Sequence, residues 1–368
     1  MIPVNEPIVT KRAIKYVNEA LKTAWISSAG KYVEQFEKNF ANYLGVKYAS
    51  SCTNGTTALH LAIRSLDIKK GDEVIMPDQT IISCPLSVIY EQAKPVFVDV
   101  EPDTANIDPK LIEEKITAKT KAIMVVHLYG HTADMDPILK IAKKHKLYVI
   151  EDASQAHGAE YKAKKAGSLG DIATYSFYGN KIVTTGEGGM VVTNNKKFYD
   201  KCNLYKDLGH KVGRRFYHEE IAYNYRLTNL QAALGVAHLE DIDKFIDKKL
   251  KMAKLYQKGL KKLNWIRLPA EKNYAKNVYW MYNIILKDNA PFTREEFMSK
   301  LKKKGVDTRT YFYPLHRQPV ITKLYKYNTH DFPVNNKLSK QGLYLPSGLA
   351  ITNQQIKKVV ETIYEISR

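Results

Sequence analysis

Cysteine is scarce: Cys52, Cys84 and Cys202 are the only three in 368 residues, and no two form a CxxC pair. That spacing excludes a disulfide framework and offers no zinc-binding pattern, so no metal is expected. No apolar run is long enough to cross a bilayer. The first residues, MIPVNEPIVTKRA, lack the apolar centre of a signal peptide, so the expected location is the cytoplasm, away from membranes. No segment is strongly biased toward Gly, Ser or Pro, and 44 % of residues are hydrophobic, the balance of a globular enzyme. Arginine is scarce as well, 10 residues against 47 lysines, and the lysines are scattered over the whole chain. Nucleic-acid binders concentrate their charge and read base edges with Arg forks. The formal charge of +19 is therefore read as a solvated Lys-rich surface. Nucleic acid is not expected as a partner, whereas a substrate carrying phosphates is compatible with this charge.

What is present is an alternation of short apolar runs with amphipathic stretches between residues 54 and 193. EVIM (73–76), PVFVDV (95–100), KAIMVVHL (121–128) and LYVIEDA (147–153) read as strands. Helical patterns over Asp108 to Ile116 and Asp134 to Lys144 lie between them. Near-continuous apolar strands separated by helices predict a mostly parallel sheet covered on both faces. Upstream, residues 34–45 place Phe36, Phe40, Tyr43 and Leu44 on one helical face and stop at Gly45. Residues 229–263 form one long helical pattern with a bend expected near Asp241. WMYNIIL (280–286) and helices at Arg294 to Lys303 and Asn353 to Ser367 follow. The expected architecture is a large α/β domain, residues 1–240, and a smaller C-terminal α+β domain, residues 241–368.

Open parallel sheets bind ligands at the carboxyl ends of their strands. Asp152 ends one apolar strand and is followed by Gln155 and His157; taken alone, it reads as a helix cap. Residues 170–194 carry a strand, then SFYGNK (176–181), then a turn with Gly186, Gly188 and Gly189, then another strand. Lys181 in that setting is a candidate for covalent catalysis, which needs a protected pocket and a lowered pKa. Ser176 and NGTTAL (54–59), where Gly55 and Thr56 open an amphipathic helix, offer an anion anchor. The plain alternative for NGTTAL is an ordinary turn and cap.

These segments together resemble the DegT/DnrJ/EryC1/StrS family of sugar-nucleotide aminotransferases, fold-type-I enzymes that use pyridoxal 5'-phosphate. The resemblance runs through residues 25–45, 54–62, 127–138, 151–159, 176–191, 223–235, 279–284 and 344–352, in order and over essentially the whole chain. It implies that Lys181 carries the cofactor covalently, that Asp152 pairs with the pyridine nitrogen and that Gln155 bonds the ring hydroxyl. Gly55, Thr56 and Ser176 match phosphate ligands. Asn224 matches an asparagine that reaches the neighbouring subunit's phosphate, which implies a homodimer with shared active sites. Where members often have an aromatic residue stacked on the ring, this chain has Ile81. Members that remove a sugar hydroxyl carry His in place of the lysine, so Lys181 points to transamination. The resemblance to the family implies L-glutamate as donor, and the wording around Lys181 and in YWMY implies a GDP-linked 4-keto-6-deoxymannose as acceptor. UDP- and dTDP-linked 4-keto-6-deoxyhexoses remain alternatives, as does a non-catalytic binding or regulatory protein on the same fold. Trp25, Ser27, Arg309 and His316 are the candidates for the sugar pocket.

Overall fold

The computed structural model describes residues 1–211 and 213–367, the side chain of Arg215 excepted. A seven-stranded sheet forms its centre, in the order Tyr48–Cys52, Gly189–Thr193, Ile172–Ser176, Tyr148–Asp152, Thr120–Val126, Glu73–Pro77, Lys94–Val98. Only Gly189–Thr193 runs against the others. Alternation along the strands divides the core in two. Val74, Met76, Met124, Val126 and Ile150 enter one apolar cluster, while Ile75, Ile123, Val125 and Val149 enter another. Both faces are therefore buried, as the continuous apolar strands predict. Helix Gly55–Ser65 packs on the strands at 172–176 and 189–193, and helix Met135–His145 packs beside Tyr148–Asp152.

The long pattern at 229–263 is two helices, Asn229–Glu240 and Ile242–Leu260, broken at Asp241 as expected. Helix Lys31–Leu44 buries Phe36, Phe40 and Leu44 and ends on Gly45 in the left-handed region. The stretch from Asp108 to Ile116 departs from its expected α-helix and forms two single 3₁₀ turns, Pro109–Leu111 and Glu113–Lys115. So short a segment gains too few hydrogen bonds to offset helix nucleation. The strand expected over 95–100 stops at Val98, because the Asp99 carboxylate accepts hydrogen bonds from the Val334 and Asn335 N–H groups.

The C-terminal part builds a four-stranded antiparallel sheet from Ile266–Arg267, Tyr282–Leu286, Gly342–Leu345 and Arg309–Thr310. Its own core gathers Tyr256, Tyr282, Phe297, Leu343 and Ile363. The N-terminal segment also belongs to this unit by its hydrogen bonds: Ile2 N–H donates to Gly305 O, and Ser347 N–H donates to Val4 O. Helix Ile242–Leu260 supplies Phe245 and Ile246 to the main core and Met252 and Leu260 to the smaller one, joining the two. Among the described residues no helix is long and apolar enough to cross a membrane.

Candidate active site

The parallel strands deliver their carboxyl ends to one edge of the sheet, where a cleft of about 760 Å³ opens. Helix Gly55–Ser65 begins there. Asn54 caps it by accepting from Thr57 N–H at 2.9 Å, and the Thr57 hydroxyl receives the Asn54 N–H in return. The N–H groups of Gly55 and Thr56, having no intrahelical acceptor, remain for a ligand. Gly55 is required by space: a Cβ there would lie 2.7 Å from the Ser176 Cβ. The close approach sets the Ser176 hydroxyl beside the helix start, with the Thr56 hydroxyl 2.8 Å from that of Ser83. Two hydroxyls and a positive helix end therefore share one corner of the cleft, the chemistry that holds a phosphate.

The Glu151–Asp152 pair splits between the two faces of the sheet. Glu151 is wholly buried, 2.9 Å from His127 Nε2, and accepts the Gly167, Leu169 and Gly170 N–H groups. Burial raises its pKa, but His127 and these amides outweigh that and hold the carboxyl below its usual range. Asp152 faces the cleft side while staying buried. It receives the Cys84 thiol at 3.3 Å and the Ser154 N–H at 3.1 Å. Burial, reinforced by the Asp152 charge, keeps Cys84 protonated and hence a donor.

Lys181 lies in the loop between Ile172–Ser176 and Gly189–Thr193. That loop is tied down by Phe177 N–H to Gly188 O and Thr185 N–H to Phe177 O, both short contacts across the glycine turn. Burial lowers the Lys181 amine to about 8, against the pull of the neighbouring Asp152, which favours the ammonium. The same lysine and burial together lower His157 to about 3, so its ring is neutral. Lys181 Nζ sits 3.9 Å from the centroid of the Trp280 ring. Trp280 in turn donates its indole N–H to Asn180 O at 2.8 Å. Tyr129 stacks on Phe312 with 5.9 Å between centroids and only 5° between planes, and with Tyr344 extends this aromatic wall.

The structure thus gathers Lys181, Gln155, Gly55, Thr56, Ser176 and Ile81 around one cleft, with Asp152 buried beside it. Gln155 Oε1 accepts the Tyr129 N–H at 2.8 Å, which leaves its amide N–H groups for a ligand. Five other candidates lie elsewhere. His316 is 3 % exposed: its Nδ1 is 2.6 Å from Asp78 Oδ2 and its ring stacks on Phe332, so in this chain it is a core residue holding the 311–316 segment to the sheet. Its neighbour Phe312 is the one that reaches the cleft. Arg309 is exposed and paired with Asp307 at 3.2 Å. Trp25 borders a separate depression with Glu19, Tyr32 and Asn229, and Ser27 is exposed, its carbonyl held by Asn229 N–H. Asn224 does not line this chain's own cleft; its Oδ1 accepts from Arg226 Nε at 3.0 Å, while the adjacent Tyr225 does line it. Sequence reasoning missed Trp280 as a wall against Lys181, although the YWMY segment was singled out as a motif.

The family model of the DegT/DnrJ/EryC1/StrS aminotransferases matches residues 7–364. The chain is 44 % identical to the GDP-perosamine synthase of Escherichia coli O157:H7, over 99 % of this chain and 98 % of that one. It is 42 % identical to the protein of the same name from Caulobacter vibrioides, over 95 % and 94 %. The solved structure of an aminotransferase from Psychrobacter cryohalolentis superposes with a TM-score of 0.92 at 34 % identity, covering 98 % of each chain.

Proposed function

The chain belongs to the DegT/DnrJ/EryC1/StrS aminotransferase family, and on that premise we propose that it moves the amino group of L-glutamate to C4 of GDP-4-keto-6-deoxy-D-mannose, giving GDP-perosamine. Its cofactor is pyridoxal 5'-phosphate. The observation that carries the reading is the meeting, at one edge of the sheet, of a lysine amine lowered to about 8, a buried carboxylate and a helix start ready for a phosphate. The sugar and nucleotide rest on the 40–44 % identity to three proteins named GDP-perosamine synthase.

The residues fit the cofactor. Gly55, Thr56 and Ser176 would hold its phosphate, Asp152 would pair with its pyridine nitrogen, Gln155 would donate to its ring hydroxyl, and Ile81 would pack on the ring. When bound, the protonated ring draws electrons from the carbon that gives up its proton. Asp152 keeps that ring nitrogen protonated, because an anion fixed in a low-dielectric site favours the cation beside it. Lys181 would hold the cofactor covalently, and its amine, when free, would accept a proton at Nζ and return it. The lowered pKa suits both roles, since an amine near pH 8 gives and takes protons readily. Trp280, Tyr129 and Phe312 exclude water around that amine.

The enzyme acts as a cytoplasmic homodimer in this reading. Asn224 is exposed and does not line its own cleft, and its amide N–H groups would serve the partner's phosphate. Asn229 binds the carbonyls of both Trp25 and Ser27, and in this reading these two residues contribute to the sugar pocket. The test is turnover: with L-glutamate and the GDP-linked ketone, one equivalent each of amino sugar and 2-oxoglutarate forms, and Lys181→Ala abolishes both products together with the visible absorption of the lysine-bound cofactor. A chain that takes up pyridoxal phosphate yet aminates no sugar nucleotide refutes the reading.

A further inference from the structure

A second lysine lies on the far side of the Trp280 wall. Lys249, on helix Ile242–Leu260, is 2 % exposed. Its Nζ donates to Trp280 O at 2.8 Å and to Ser347 O, and lies 4.0 Å from the Met252 sulfur. Burial alone moves its pKa, down to about 7. A buried ammonium bound only by neutral acceptors is an expensive arrangement, and an apolar residue would fill the same space without that cost.

The contacts around Trp280 indicate what the arrangement holds. The preceding Tyr279 sits at φ +48°, a left-handed conformation unfavourable for an aromatic residue. Gly130, at φ +102°, approaches so closely that a Cβ would stand 2.8 Å from Trp280 N. The indole N–H is fixed on Asn180 O, one residue before Lys181. A strained neighbour, close packing and two directed hydrogen bonds thus fix Trp280, and its ring face meets Lys181 Nζ. Lys181, Lys249, Trp280 and Ser347 also border one narrow crevice.

We propose that Lys249 is a positioning residue: by holding the carbonyls of Trp280 and Ser347 it fixes the indole as the wall that covers one side of the Lys181 amine, the side away from the cleft opening being held by the fold and not by solvent. Lys249 does not line the cleft and acts through Trp280. Without its donors the 279–281 segment relaxes, water reaches Lys181, and the burial that lowers the Lys181 pKa is relieved. The other titratable groups around Lys181, namely Asp152, Cys84 and His157, stay in place.

The experiment reads Lys181 directly in the full-length, cofactor-free chain. Its acylation by trace acetic anhydride is followed against pH by peptide mass spectrometry, with the melting temperature recorded in parallel. In the wild-type chain the midpoint is expected near 8. Lys249→Met, which keeps the stem and removes the donors, raises the midpoint by about one pH unit, a tenfold change in the neutral fraction at fixed pH. Lys249→Gln, which keeps N–H donors without charge, leaves it close to wild type. A purely structural role lowers the melting temperature of Lys249→Met and leaves the midpoint in place, and that result overturns the proposal. Should Lys249→Met not fold, Trp280→Leu carries the test: it raises the midpoint if the wall is what matters, and an unmoved midpoint overturns the proposal equally. The significance of Lys181 rests on the proposed function, but the midpoint is read without cofactor. A wild-type chain that binds no pyridoxal phosphate therefore refutes that function and leaves this measurement standing.

Discussion

Asp152 and Cys84 are joined by a hydrogen bond of 3.3 Å in which the thiol donates, so the carboxyl beside Lys181 is anchored by a neutral partner. Asp152→Asn keeps the shape and removes the charge. The expected outcome is retained cofactor binding with kcat lowered about a hundredfold or more, the scale of an electrostatic contribution of several kcal/mol. Steady-state kinetics on the cofactor-saturated variant checks it; near-normal kcat would show Asp152 to be only a cap.

The lowered pKa of Lys181 has a sign that can be tested by pH. Only the neutral amine attacks the cofactor aldehyde, so attachment quickens as pH rises and levels off above the pKa. With the pKa at about 8 instead of the ordinary lysine value of 10.5, roughly a tenth of the amine is neutral at pH 7, against about one part in three thousand. Stopped-flow attachment rates between pH 6 and pH 10 should show a plateau above about pH 8.5. A rate still climbing tenfold per unit at pH 9.5 contradicts the buried setting.

Gly55→Ala tests the phosphate corner. The added Cβ meets Ser176 at 2.7 Å, a backbone-tethered neighbour that must move. Cofactor affinity should fall about tenfold or more, roughly the worth of one charge-assisted hydrogen bond, while circular dichroism stays unchanged. Equilibrium titration with pyridoxal phosphate gives the number.

Much of this was legible in the sequence. The break at Asp241, the strands carrying Asp152 and Ser176, and the helix opening at Gly55 all follow from local pattern and cap chemistry. Other features were not, for physical reasons. His316 reads as a free ligand until its partner Asp78, 238 residues away, is brought against it by the fold. Lys249 is one lysine among 47, and nothing near it in sequence reveals that its end is buried on two carbonyls. Trp280 turns into the cleft only because Tyr279 adopts a left-handed backbone, so the strand begins at Tyr282 and not at Trp280.

Asn224 gives a prediction on assembly. If it serves the partner's cleft, a Lys181→Ala chain mixed with an Asn224→Ala chain yields heterodimers with one intact site, and activity returns to about half that of wild type per dimer. Light scattering establishes the dimer, and affinity-tagged chains establish the heterodimer. No recovery in demonstrated heterodimers, with Asn224→Ala alone impaired, places the asparagine in its own subunit.

The most direct test of the whole account is kcat/KM for GDP-4-keto-6-deoxy-D-mannose against the UDP- and dTDP-linked 4-keto-6-deoxyglucose analogues, with L-glutamate as donor and the cofactor saturating. The account predicts preference for the GDP-linked mannose-derived ketone by at least about tenfold, or about 1.4 kcal/mol in transition-state binding. An equal or greater rate constant for either glucose-derived ketone would contradict it.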